Sequence, residues 1–196
     1  QRDSDSDTLT PSRATKDTFP ETQPSEEDIE EGTLVIYTGN AGIVLIHPFL
    51  SEFFGKLGLL DNARLFTNID SAVRGIFLLH FLATGTTELE EFQSGLYKIL
   101  CGIPLGQAIP RNLNLFKEEL EESETLLRSA IGHWKILKNT SPNGLRETFF
   151  QREGKLEITD QGWILKVEQR SVDILISHLP WTYSIVKLPW MDQTLW

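Results

Sequence analysis

Cysteine, histidine and paired acids are the side chains that most often carry chemistry, and this chain has few of them. Cys101 is the single cysteine. It lies in Leu100-Cys101-Gly102-Ile103-Pro104, where a nucleophile paired with a distant histidine is conceivable. The run before it is apolar, however, and a thiol at the end of an apolar helix is usually buried and inert. A lone cysteine forms no internal disulfide and supports no Cys/His zinc pattern. His47, His80, His133 and His178 are 33, 53 and 45 residues apart. None has the i, i+4 partner of a helical metal site. His80 sits in Phe77-Leu78-Leu79-His80-Phe81, which reads as a hydrogen-bonded core histidine rather than a ligand. Gly55-Lys56 is followed by leucine and is not a P-loop. Gly39-Asn40-Ala41-Gly42 lacks dinucleotide spacing, and no GxSxG elbow occurs. Glu118 and Glu122 read as neighbours on a solvated helix face, not as a buried dyad. The expectation is a protein without catalytic residues, cofactor or metal.

The elements around these residues point to a mainly helical α+β fold. Thr33–Tyr37 reads as a strand ending at Thr38-Gly39-Asn40. Residues 41–57 read as a helix that kinks or begins at Pro48, with a hairpin of 33–37 and 43–46 as the competing reading. A second helix spans 70–83, capped by Asn68 or Asp70 and stopped by Gly85. Thr87-Glu88-Leu89-Glu90 fits a capping box opening a third, closed by Gly102 and Pro104. The fourth, 113–138, carries Leu113, Phe116, Leu120, Ser123, Leu127, Ala130, Trp134 and Leu137 in 3-4-3-4 spacing. That is one stripe on a helix of about 39 Å. It serves an intradomain core or, alternatively, a coiled coil, so a homo-oligomer stays open.

Ser141-Pro142 opens a short helix through Arg152 with Gly154 as its stop. The period then changes to two. Leu156 and Ile158, then Trp163, Leu165 and Val167, flank Asp160-Gln161-Gly162 as a β-hairpin. Residues 172–178 fit helix or strand equally, and 183–188 read as a final strand. The whole is a compact helical domain with a small antiparallel β-sheet near the C-terminus.

Charge divides the chain. It has 18 basic and 28 acidic residues, for a net charge of −10. Residues 1–31 hold ten acids and three bases with Pro11, Pro20 and Pro24, and read as a disordered acidic linker. A docking motif around Phe19 or Ile29 is the alternative. Residues 32–196 form the globular domain, which carries only −3. Net acidity argues against nucleic acid, and near-neutrality of the domain suits protein–protein contact. No apolar run approaches the roughly 20 residues of a membrane span, and no signal peptide is visible. A chain opening at Gln1 and ending at Trp196 reads as a piece of a longer protein.

Leu179-Pro180-Trp181 recurs as Leu188-Pro189-Trp190. Two tryptophans set by rigid X-Pro turns either cover an edge of the core or anchor a partner. Pro180, Trp181, Pro189 and Trp190 are therefore the candidate partner-binding residues.

These motifs, with Ala41-Gly42-Ile43-Val44-Leu45-Ile46-His47-Pro48-Phe49-Leu50, Leu100-Cys101-Gly102-Ile103-Pro104, His133-Trp134, Gly144-Leu145-Arg146, Phe150-Gln151-Arg152-Glu153-Gly154 and Met191, resemble the contractile injection system tape-measure family across residues 33–196. The resemblance implies a structural part of a phage-tail-like particle, in the cytoplasm or within the assembled particle. It implies tube, cap or baseplate proteins as partners and brings no catalytic residues. One continuous helix of 196 residues would span about 290 Å. The turns and prolines forbid such a ruler, so a compact terminal anchor, serving length control or attachment, is expected. A stand-alone assembly adaptor or chaperone is the other reading. An enzyme using Cys101 is a third class, which unchanged assembly by Cys101→Ser would argue against.

Overall fold

The centre of the fold is the most apolar segment of the chain. The computed structural model describes residues 34–196, so the expected linker lies outside the described residues. Helix α2 (Ile69–Thr84) is buried over most of its circumference, including Ile76, Phe77, Leu78, Leu79 and Leu82. A helix apolar nearly all round belongs inside. Asn68 Oδ1 accepts from the Ser71 N–H at 2.8 Å and starts it. Gly85, with φ 78°, ends it through its N–H to Phe81 O. A left-handed cap of this kind favours glycine, which has no Cβ to clash.

The other helices pack around α2. The first apolar stretch divides at the proline: Ala41–Ile46 is a buried 3-10 helix, and α1 (His47–Lys56) begins with Pro48 in its first turn. There the missing N–H costs nothing. The capping box falls three residues later than expected. Glu90 and Gln93 cap each other around a short 3-10 turn, Glu91–Gln93, and α3 (Gly95–Leu100) follows. Helix α4 (Lys117–His133) is shorter than 113–138. The Glu119 carboxylate accepts from the Phe116 N–H at 2.6 Å and fixes the start. At the other end Trp134 leaves helical geometry and Lys135–Leu137 tighten to 3-10. Ser123, Leu127, Ala130, Trp134 and Leu137 of the stripe are buried, and α4 packs on α1 and α2. The stripe serves the intradomain core. Phe116 departs from it and lies exposed under the Arg74 guanidinium. Glu119, beside the solvated Glu118, is buried and ion-paired with Arg74.

Helix α5 (Pro142–Leu145) is capped by Ser141 and runs into a π-helical turn, Arg146–Phe150. This turn holds the C-terminal end of α2. Arg146 Nε donates to Leu82 O at 3.1 Å, and Gln151 Nε2 donates to Ala83 O at 3.3 Å. Carbonyls in the last turn of a helix have no partner within it, and a cation there also meets the negative end of the helix dipole.

The sheet has three antiparallel strands in the order β1 (Val35–Thr38), β2 (Gly154–Thr159), β3 (Gly162–Val167). The competing hairpin with 43–46 does not form. Ile36 pairs with Leu156 instead, and Ile158 with Trp163 across the expected turn. Leu34, Ile36, Leu156, Ile158, Trp163 and Leu165 share the inner face by the period of two. Lys155, Glu157 and Lys166 form an ion-pair cluster on the outer face.

Residues 171–178 resolve as a 3-10 helix, Ser171–His178. The expected final strand, 183–188, is reduced to one bridge. Val186 exchanges two backbone hydrogen bonds with Leu195, at 2.7 and 2.9 Å. Residues 194–196 instead lie parallel to β3, with Trp163 donating to Thr194 O and accepting from the Trp196 N–H. The C-terminal residues took the edge that 183–188 would have needed. No helix among the described residues is long and apolar enough to cross a membrane.

Candidate protein-contact site

The reactive side chains are dispersed and inward. Cys101 is 2% exposed, and burial pushes its thiol well above the usual range. His47 Nδ1 lies 3.0 Å from Val44 O, and burial lowers its pKa. Among the described residues no three His, Cys, Asp or Glu side chains converge as a metal site.

His80 is buried at 2% exposure, edge-on to Tyr97, with Nε2 3.3 Å from Thr86 Oγ1. Burial holds its pKa below 6.5. The unfolded chain therefore takes up a proton near pH 6.5 that the folded chain refuses, and stability falls as pH drops through that value. Urea midpoints measured from pH 7.5 to 5.5 are expected to decline, and His80→Gln to flatten the decline. An equal slope in the variant would remove His80 as its source.

The four residues singled out for partner contact are separated by the fold. Trp190 is a core residue, 9% exposed, packed on Phe54 and Phe66 with Nε1 donating to Leu100 O at 2.8 Å. Trp181 is half-buried, edge-on to Phe49 at 5.0 Å, and its Nε1 donates to Leu45 O at 2.7 Å. Pro180 and Pro189 are exposed. Each indole thus pins the C-terminal segment to a helix end, one at the 3-10 helix and one at α3. A buried indole N–H needs such an acceptor.

Between these two pins the chain bends at Ser184, and burial then alternates from Ile185 to Leu188. Val186 and Leu188 point inward and are buried. Tyr183 and Ile185 point outward, 43% and 48% exposed. Neither is among the contact residues expected from the sequence, which places both in a final strand over 183–188. Tyr183 also lines a cleft of about 480 Å³. Val44, Phe149 and Ile176 form its apolar wall. The ion pair of buried Arg152 with Asp173 borders it. The cleft has room for a large side chain, next to the exposed ring of Tyr183.

The fold and this surface define an α+β domain with exposed apolar side chains beside an open cleft. The chain belongs to a family: the family model for contractile injection system tape measure protein matches residues 1–196. It is thus a tape-measure-type component of a contractile injection system, a class that works in association with the system's other proteins. No curated protein and no solved structure matches the chain.

Proposed function

We propose that this domain anchors a tape-measure-type protein to the tube end, cap or baseplate of a phage-tail-like particle, acting by contact and not by catalysis. It contributes to length control by fixing one end of the measuring device. The observation that carries the reading is the outward pair Tyr183 and Ile185, held between two pinned tryptophans beside an open cleft. Pinning lowers the ordering cost of binding, which otherwise reduces affinity. Pro180, Pro189 and the open edge of Trp181 flank the pair, while Trp190 supports it from the core. The compact fold also favours an anchor over a ruler, since α4 with its 17 residues extends only about 26 Å.

The test is pull-down of the chain with purified tube, cap and baseplate proteins. At least one is expected to bind. Tyr183→Ser with Ile185→Ser is expected to weaken that binding at least tenfold while stability stays within about 1 kcal/mol, as for exposed sites. Binding to none of the three proteins would sink the reading. Absence of the chain from purified particles by mass spectrometry would transfer it to an assembly adaptor.

A further inference from the structure

A second cleft, of about 610 Å³, shares no residue with the one beside Tyr183. Residues 88–91 form one wall and residues 109–112 the other. The second wall belongs to the long connection between α3 and α4. That connection, residues 101–116, contains no helix or strand. Ordered loops of such length inside a compact domain are uncommon and usually carry function.

Both ends of the connection are fixed. Gly102 lies against the backbone of Trp190, where an added Cβ would come within 2.3 Å of Trp190 O. Ile103 is buried and donates its N–H to Lys98 O at 2.8 Å. At the far end Arg74 Nη2 donates to Asn114 O at 3.0 Å. Between these anchors, residues 104–113 are exposed except for Leu105, Ile109 and Leu113, which are half-buried. Among the described residues, two hydrogen bonds tie this stretch to the rest of the protein. Lys98 Nζ donates to Leu105 O at 3.0 Å, and the Ile109 N–H donates to Glu91 Oε2 at 3.2 Å.

Both bonds run through one ion pair. Glu91 Oε1 accepts from Lys98 Nζ. Glu91 sits on the 3-10 turn that Glu90 and Gln93 cap, and its side chain keeps 53% exposure. Lys98 is 3% exposed. A buried ammonium needs an anionic partner, and a charge that loses its partner must reach water or destabilise the fold. Leu105, bonded to the ammonium, is part of the stretch that the pair holds down. Opening that stretch hydrates Lys98 and Glu91 and exposes three half-buried side chains, a small cost beside unfolding α2. Local openings draw on regions with few buried contacts.

We propose that residues 104–113 are a strap, latched by Glu91 on Lys98, that opens and recloses while α2, α3 and α4 stay folded. Opening moves one wall of the cleft and uncovers the Lys98 ammonium. The strap thus sets access to the cleft. The inference depends neither on the anchoring role nor on Tyr183 and Ile185.

Limited trypsin digestion reads the opening at Arg111, an exposed strap residue, against Arg128, an exposed residue within α4. A protease cuts the opened form, so cleavage after Arg111 needs release of the strap and cleavage after Arg128 needs unfolding of α4. In the natural chain the first is expected to be at least tenfold faster than the second. Glu91→Gln removes the charge and keeps the shape. It is expected to speed cleavage after Arg111 at least tenfold further, with cleavage after Arg128 changed by less than twofold. Equal acceleration at both sites, or none at Arg111, would overturn the proposal. Should the variant not fold, acylation of Lys98 in the natural chain replaces it. Cys101 is the reference, buried with its sulfur toward Gly75 of α2. Low urea is expected to change Lys98 acylation little, while Cys101 alkylation follows global unfolding. A parallel rise at both residues would sink the strap, since Lys98 would then be uncovered only when the core is.

Discussion

Gly42→Ala is expected to destabilise the domain by about 3 kcal/mol, at the upper end of the cost of overpacking a core. A Cβ at position 42 would lie 1.7 Å from Phe149 O and 2.7 Å from Phe149 C. Both are backbone atoms of the π-helical turn and cannot swing aside as a side chain can. The 3-10 helix would have to move from the turn, and its buried Ile43, Val44, Leu45 and Ile46 would move with it. For a domain of this size the loss corresponds to roughly 6–12 °C in Tm. Thermal and urea unfolding of the variant measure it. A shift below 2 °C would mean that the two backbones do not meet as closely as the structure has them. Gly132→Ala is the control. It lies on an exposed face of α4 with nothing within 4 Å of its added Cβ, and is expected to be neutral or slightly stabilising.

The second large effect is at Arg146, which is 3% exposed. Its guanidinium donates to Leu82 O, to Asn143 Oδ1 at 2.7 Å and to Glu124 Oε1 at 2.6 Å. It therefore joins α2, α4 and α5 through one planar group. Arg146→Met keeps most of the volume and removes all three bonds. The expected loss is about 3 kcal/mol, the low end for breaking a buried ion pair, because Glu124 retains 28% exposure and recovers some hydration. Arg146→Lys should recover little, since an ammonium does not reproduce the planar fork. Combining Arg146→Met with Glu124→Gln tests the ion pair itself. If it costs no less than Arg146→Met alone, the charge left on Glu124 is not the source of the loss.

Much of the helical part was legible from local signals. Asn68 and Gly85 bound α2 as their chemistry requires, and Ser141-Pro142 opens α5. The 3-4-3-4 stripe located α4 and its buried face. Its ends were misplaced because a stripe reports a face and not where the helix stops. The start was set by Glu119 folding back on Phe116, and Glu119 is in turn held by Arg74 of α2. The hairpin β2–β3 followed from alternation around Asp160-Gln161-Gly162. The candidate site was legible in part. The repeated Leu-Pro-Trp marked the right segment, but burial assigned Trp190 to the core and left Tyr183 and Ile185 facing outward.

By itself the sequence determined the family, the helical character, the hairpin and the division of charge between residues 1–31 and the rest. Periodicity, caps and composition are local quantities, so a linear chain displays them. Tertiary structure alone decided that β1 pairs with β2 more than 100 residues later, leaving Val35 and Tyr37 facing outward. It alone decided that residues 194–196 and not 183–188 line β3. It also made Arg146 a cap on α2. These depend on which backbone groups remain unpaired after the helices pack, and on which distant segment satisfies them at the least cost in buried polar atoms. No window of the sequence contains both partners of such a choice.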